Sequence, residues 1–241
     1  MRVRAAVVTT PGDEATRGTR APSAAALGAK PLDAWWTVLV VDPVALRILP
    51  RLAGIASVTP LRLTLAGAAF TTGAVVAFAT EHFIVGALLF QAGFFLDCLD
   101  GKLARIRGET SMLGAFLDQA LDVLIRTGAF VALAWHAFPD YRLAPAVAAA
   151  IVLFESWLRV FPSPAREGTG ATLPGALGRA RAALARRRLV LLPSTVDMET
   201  VALFLLPLTG STRAIGVGVI VALAGYAFYC LLHVRRLVRA P

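Results

Sequence analysis

The sequence predicts an all-α integral membrane protein, a six-helix bundle with an N-terminal interfacial amphipathic helix. Three observations lead there. Hydrophobic residues make up 57% of the 241 against 16% charged, and the mean hydropathy is +0.70, too apolar a balance for an ordinary soluble domain. Six apolar stretches can be marked, each roughly long enough, at about 20 residues, to cross about 30 Å of hydrocarbon. The loops between them alternate between cation-rich and cation-poor, as the retention of Lys and Arg on the cytoplasmic side requires.

Residues 1–32 contain no apolar run and include Asp13 and Glu14, so they do not read as a secretory signal. Rich in Ala, Thr, Pro and Gly, they are expected to form a disordered cytoplasmic arm. Residues 33–57 mix aromatic and aliphatic residues with Asp33, Asp42, Arg47 and Arg51, and Pro43 and Pro50 break the run. This stretch reads as an interfacial juxtamembrane helix with Trp35 and Trp36 at headgroup depth. The competing reading, an extra crossing, is opposed by those charges and prolines and would invert the loop assignment.

Residues 58–241 are expected to form the six-span domain, with spans at about 63–80, 83–100, 111–136, 143–161, 193–209 and 214–234. Thr59-Pro60 suits the start of the first span, since proline is tolerated in a first helical turn. The fifth span has the shortest clean run, because Pro193, Asp197 and Glu199 interrupt its first half. Cations crowd the arm, the 101–110 loop, the 162–192 loop and the tail, whereas the opposite loops hold only Arg142 and Arg213. Six crossings then place both termini on the cytoplasmic face of the plasma membrane. The net charge of +9 finds its partners in anionic headgroups and phosphorylated substrates, with no need for nucleic acid. The 162–192 loop ends in the basic run ALGRARAALARRR, expected to be an amphipathic helix. Cys98 and Cys230 fall within spans, as packing residues and not as a disulfide framework.

Four of the nine aspartates lie between positions 97 and 122, in the pattern D-x-x-D-G-x-x-A-R, eight residues, then G-x-x-x-D-x-x-x-D. Carboxylates beside or within hydrocarbon are expensive, so four together need a shared reason, and bound divalent metal supplies one. On a helix Asp97 and Asp100 share a face with Gly101 and Ala104, and Asp118 and Asp122 are one turn apart. The second and third spans run antiparallel, so the two pairs can converge in a polar cavity open to the cytoplasm. Gly101 and Gly114 permit close approach of a ligand or helix, and Ala104 does so more mildly. Arg105 offers a planar cationic fork suited to a diphosphate, and Thr110 or Ser111 can cap the third span. Hard oxygen ligands fit Mg2+ or Mn2+ better than zinc.

The segment DCLDGKLARIRGETSMLGAFLDQALD resembles the signature of the CDP-alcohol phosphatidyltransferase family, with Asp97, Asp100, Gly101, Ala104, Arg105, Gly114, Asp118 and Asp122 at its eight positions. The resemblance implies transfer of a phosphoalcohol group, such as phosphatidyl, from a CDP-alcohol to an acceptor alcohol, with release of CMP. It also implies two divalent ions bound by Asp97, Asp100, Asp118 and Asp122, with Asp122 as general base, nucleotide contacts from Gly101 and Arg105, and a homodimer. Many members carry Asn after the proline that opens the first span, where this chain has Leu61. Thr64 remains as a nucleotide contact, and Ser111 corresponds to a position that touches the donor in relatives. The expected function is therefore phospholipid biosynthesis, although the donor alcohol and the acceptor are not legible.

Other residues leave alternatives open. Arg126 either neutralises Asp122, one turn away, or contacts a substrate phosphate. Asp197 and Glu199 face the cavity or lie at the mouth of the fifth span, and Glu155 has no evident partner. Arg186, Arg187 and Arg188 form a lipid-facing patch or recognise an acidic acceptor, while His82, His136 and His233 suit interfacial positions. Two rival functions are an intramembrane prenyltransferase, which also holds a diphosphate through paired aspartates, and a small cation-coupled transporter. The first has more spans and lacks the G-x-x-A-R spacing. The second would place its charges near the midplane and show an inverted repeat.

Overall fold

A computed structural model describes residues 23–109, 112–160 and 175–238. The disorder expected of residues 1–22, the capping and donor contacts expected of Thr110 and Ser111, and the first part of the 162–192 loop lie outside the described residues. Within them the regular elements are all helical, and extended pairing is limited to one isolated parallel bridge between Asp33 and Leu189.

A π-helical turn, Thr37–Val41, leads into α1, Asp42–Ala53. Then follow α2 (Pro60–Ala79), α3 (Phe83–Arg107), α4 (Met112–Ala137), α5 (Ala144–Leu158), α6 (Gly175–Arg186), α7 (Thr195–Thr200) and α8 (Thr212–Val238). α2 begins as its sequence suggests. The Thr59 side chain accepts the Arg62 N–H at 3.3 Å, and Pro60 occupies a position where a missing N–H costs nothing. The helices α2, α3 and α8 are long and apolar enough to cross a membrane, and α5 is apolar but has only 15 residues.

Two boundaries depart from expectation. α3 does not stop near residue 100 but continues to Arg107, where Gly108 (φ 66°) caps it in the left-handed region. The sequence KLARIR is made of good helix formers, so the expected 101–110 loop contracts and the whole D-x-x-D-G-x-x-A-R motif is helical. The fifth apolar stretch is not one straight helix: α7 passes into a π-helical turn at Val201–Leu205 and a 3-10 turn at Pro207–Thr209. Pro207 brings no N–H to continue the ladder.

Two cores hold these elements. Phe78 of α2, Phe130 and Leu133 of α4, Val152 of α5, Leu203, and Ile215 and Tyr226 of α8 are buried together. Val41, which closes the π-helical turn, and Ala45 and Leu49 of α1 lie on one face and pack with Leu99 and Leu103 at the far end of α3. Leu65, Val76, Leu88, Leu124 and Ile220 face outward and are exposed, an apolar exterior suited to hydrocarbon more than to water. α2 and α3 approach closely because Gly67 and Gly93 face one another at the crossing: a Cβ on Gly93 would lie 2.4 Å from Thr71 Cγ2 and 2.8 Å from the Gly67 carbonyl oxygen.

Residues 23–32, assigned from composition to the arm, form turns against α3. The Gly28 carbonyl accepts from Arg105 Nε at 2.6 Å and the Lys30 carbonyl from Arg188 Nε at 3.0 Å.

Candidate active site

Because the motif is helical throughout, α3 presents Asp97 and Asp100 from adjacent turns, and α4 presents Asp118 and Asp122 one turn apart. Carboxylate oxygens of Asp97, Asp100 and Asp118 lie within 4.8 Å of one another. One hard cation held at about 2.0–2.6 Å spans ligand oxygens up to about 4–5 Å apart, so the three are placed to share a divalent ion with a small adjustment of the side chains. Asp122 lines the same cavity, of about 320 Å³. Without a cation these like charges, partly withdrawn from water, would repel one another.

Around them, the Arg105 guanidinium lies over Gly101, its Nη1 3.4 Å from where a Cβ would stand, at ordinary contact distance. The single Thr64 hydroxyl proton has two acceptors in reach, Asp100 Oδ2 at 2.5 Å and Pro60 O at 3.1 Å. The charged acceptor forms the stronger bond, so Thr64 holds a candidate metal ligand as well as lining the cavity. Ala104 and Gly114 lie on the same two helices but are not among the lining residues.

Arg126 does not take Asp122 as its hydrogen-bonded partner. Its Nη1 pairs with Glu199 Oε1 at 3.0 Å and its Nη2 donates to Ser156 Oγ at 3.1 Å. The Tyr226 hydroxyl donates to the same Glu199 oxygen at 2.6 Å. Glu199 therefore belongs to the cavity, whereas Asp197 belongs to the mouth: it forms a capping box with Ser194 at the start of α7 and accepts the Trp36 backbone N–H at 2.8 Å. Glu155 gains the partner its sequence did not reveal, Arg159 Nε at 2.5 Å, and Arg159 Nη2 donates to Thr195 Oγ1 at 2.6 Å.

Several lining residues escaped the sequence reading, among them Lys30, Asp33 and Arg159. Lys102, a cation of the expected 101–110 loop, is instead buried and pairs with Asp42 at 3.0 Å, while Arg188 reaches the other Asp42 oxygen at 2.9 Å. One signal could have found this. Asp42 stands three residues before Ala45 and seven before Leu49, on the apolar face of α1, where an acidic residue calls for a buried cation.

The arrangement can hold a hard divalent cation and, through Arg105 and its neighbours, phosphate oxygens beside it. The model of the CDP-alcohol phosphatidyltransferase family matches residues 57–228. The chain is 32% identical over 142 residues to phosphatidylinositol phosphate synthase of Corynebacterium glutamicum, over 58% of this chain and 63% of that protein. It is 40% identical over 67 residues to archaetidylinositol phosphate synthase of Pyrococcus horikoshii, over 28% and 36%. It thus spans less than two thirds of the length of these relatives. The crystal structure of Mycobacterium tuberculosis phosphatidylinositol phosphate synthase with CDP-DAG bound superposes with a TM-score of 0.50 at 20% identity, covering 84% of this chain and 95% of that one, a likeness of fold. Since the matched region begins just before α2 and reaches far into α8, enclosing the eight motif positions in order, the chain belongs to the CDP-alcohol phosphatidyltransferase family.

Proposed function

We propose that the protein transfers a phosphatidyl or similar phosphoalcohol group from a CDP-alcohol, such as CDP-diacylglycerol, to an acceptor alcohol and releases CMP, in phospholipid biosynthesis. The observation that carries this reading is the convergence of Asp97, Asp100 and Asp118 within 4.8 Å, with Asp122 and Arg105 on the same cavity. Family membership removes the support for the prenyltransferase and transporter readings.

Asp97, Asp100, Asp118 and Asp122 would hold Mg2+ or Mn2+, which when bound neutralises charge on the attacking and leaving oxygens. Asp122 takes the proton of the acceptor hydroxyl as that oxygen bonds to the alcohol-side phosphorus. The bond from that phosphorus to the bridging oxygen breaks, and CMP carries away the electron pair. Arg105 binds the donor's diphosphate, where its planar fork suits paired oxygens, and Gly101 leaves space for it.

For the acceptor we infer a phosphorylated polyol, inositol phosphate being the first to try. The relatives named above are synthases of inositol phosphate lipids by name, and Arg126 and Arg159, though each paired with a carboxylate, also line the cavity. The chain crosses the plasma membrane six times in this reading, with α1 along the cytoplasmic interface, both termini and the cavity cytoplasmic, and two copies forming a homodimer.

The test is CMP release by purified protein in lipid nanodiscs, with Mg2+ or Mn2+, CDP-diacylglycerol and a panel of acceptors that includes inositol phosphate. The expected result is metal-dependent release that requires one acceptor and falls by at least about 10²-fold in Asp122→Asn, the scale of a lost general base. If CDP compounds neither react nor bind, the reading fails.

A further inference from the structure

The cations lining the cavity are mostly committed. Lys102 pairs with Asp42, Arg126 with Glu199 and Arg159 with Glu155. Among the described residues this leaves Arg105 and Lys30 without a carboxylate partner, and these two are joined by one piece of chain. The segment 28–33 crosses from α3 to the stretch before α7 as a strap. At one end the Gly28 carbonyl takes the Arg105 Nε proton at 2.6 Å. At the other, Asp33 N–H donates to the Arg188 carbonyl at 2.8 Å, Val190 N–H donates to the Asp33 carbonyl at 3.3 Å, and Arg188 Nε donates to the Lys30 carbonyl. Trp35 Nε1 clamps the same strand at the Val190 carbonyl, at 2.9 Å. Lys30 and Asp33, between those anchors, line the cavity that holds the four aspartates.

Gly28 makes the fit possible. It is buried with φ +72°, and a Cβ there would stand 2.6 Å from the Lys102 carbonyl oxygen, so only glycine lets the strap lie so close to α3. The strap precedes the matched region, which opens at residue 57.

Resting on the CDP-alcohol reading, we propose that residues 28–33 form a wall of the donor pocket: the strap fixes the Arg105 guanidinium and brings the Lys30 ammonium to the donor's diphosphate. A guanidinium anchored through Nε keeps its terminal N–H groups in one plane and loses little freedom when a phosphate arrives. Divalent cations are set against the four motif aspartates, but Asp33 adds a further carboxylate to the lining, so a diphosphate there needs more positive charge than Arg105 alone supplies, and Lys30 is the unpaired cation at hand. Lys30 is thus a binding residue for the donor and Gly28 a positioning residue that acts through Arg105.

The experiment is calorimetric binding of CDP, with CMP for comparison, to the full-length protein in nanodiscs with Mg2+. It compares wild type, Lys30→Ala, Lys30→Arg, Gly28→Ala and, as a control, Arg179→Ala on the exposed helix α6, with the thermal midpoint of each recorded. Lys30→Ala is expected to weaken CDP about fivefold, the scale of one partly exposed ion contact, and CMP by less than twofold. Lys30→Arg should retain wild-type affinity, Gly28→Ala should weaken CDP at least as much as Lys30→Ala, and Arg179→Ala should change nothing. Wild-type CDP affinity in Lys30→Ala overturns the proposal. So does an equal loss for CMP, which would place Lys30 away from the second phosphate. If wild type itself does not bind CDP, the functional reading fails instead and takes this one with it. The Lys30 variants carry the test even if Gly28→Ala fails to fold.

Discussion

At the scale of single residues, the contact between Thr64 and Asp100 separates two jobs that one side chain could do. The sequence left Thr64 as a nucleotide contact, yet its hydroxyl lies 2.5 Å from a carboxylate oxygen of the candidate metal site. Leu61, at the position where the family resemblance leads one to expect Asn, is exposed and does not line the cavity, whereas Thr64 lines it and reaches a candidate metal ligand. A group that orients a metal ligand should affect metal affinity before it affects nucleotide affinity. Thr64→Val is therefore expected to raise the Mn2+ or Mg2+ concentration for half-maximal CMP release about tenfold, the lower end for a lost outer partner of a metal ligand. The rate at saturating metal should stay within about twofold, and Thr64→Ser should behave as wild type. A change in donor KM at unchanged metal dependence would return Thr64 to the nucleotide.

At the scale of elements, the site depends on how closely α2 and α3 pack, because Thr64 and Asp100 come from different helices. The crossing has backbone against backbone at Gly67 and Gly93. Gly93→Ala inserts a methyl 2.8 Å from a carbonyl oxygen that cannot move without its helix, so the helices must part. The expected loss is about 1–3 kcal/mol, the usual cost of overpacking, seen as a lower thermal midpoint together with weaker metal binding. Unchanged values for both would mean that the crossing has slack. Elements of this kind were partly legible. The Thr59-Pro60 start, the antiparallel aspartate pairs and the basic helix α6 all follow from local signals, namely capping chemistry, helical spacing and charge. What escaped was long-range: α3 extends beyond residue 100 partly because Lys102 finds Asp42 across the fold, and Glu199 takes Arg126 from a helix 73 residues away in sequence. Neither partner can be chosen from spacing along one helix.

At the scale of the whole molecule, the distribution of charge makes a claim that length and hydropathy do not. Among the described residues three helices are long and apolar enough to cross a membrane, whereas the six-crossing topology also requires α4, with its buried Arg126, the 15-residue α5 and the broken segment from α7 to Pro207. The tendency of cations to stay on the cytoplasmic side nevertheless gives every connection an expected side. Arg142 lies in the loop before α5 and Arg179 in α6 after it, both exposed, so a single crossing by α5 must place them on opposite faces. In a chain with Cys98 and Cys230 replaced by Ala, Arg142→Cys should react with an impermeant maleimide in intact bacterial cells, and Arg179→Cys only after permeabilisation. Reaction of both from the same side would mean that α5 re-enters without crossing. The six-crossing topology would then fail at α5, although the helices that carry the aspartates, α3 and α4, precede it in the chain.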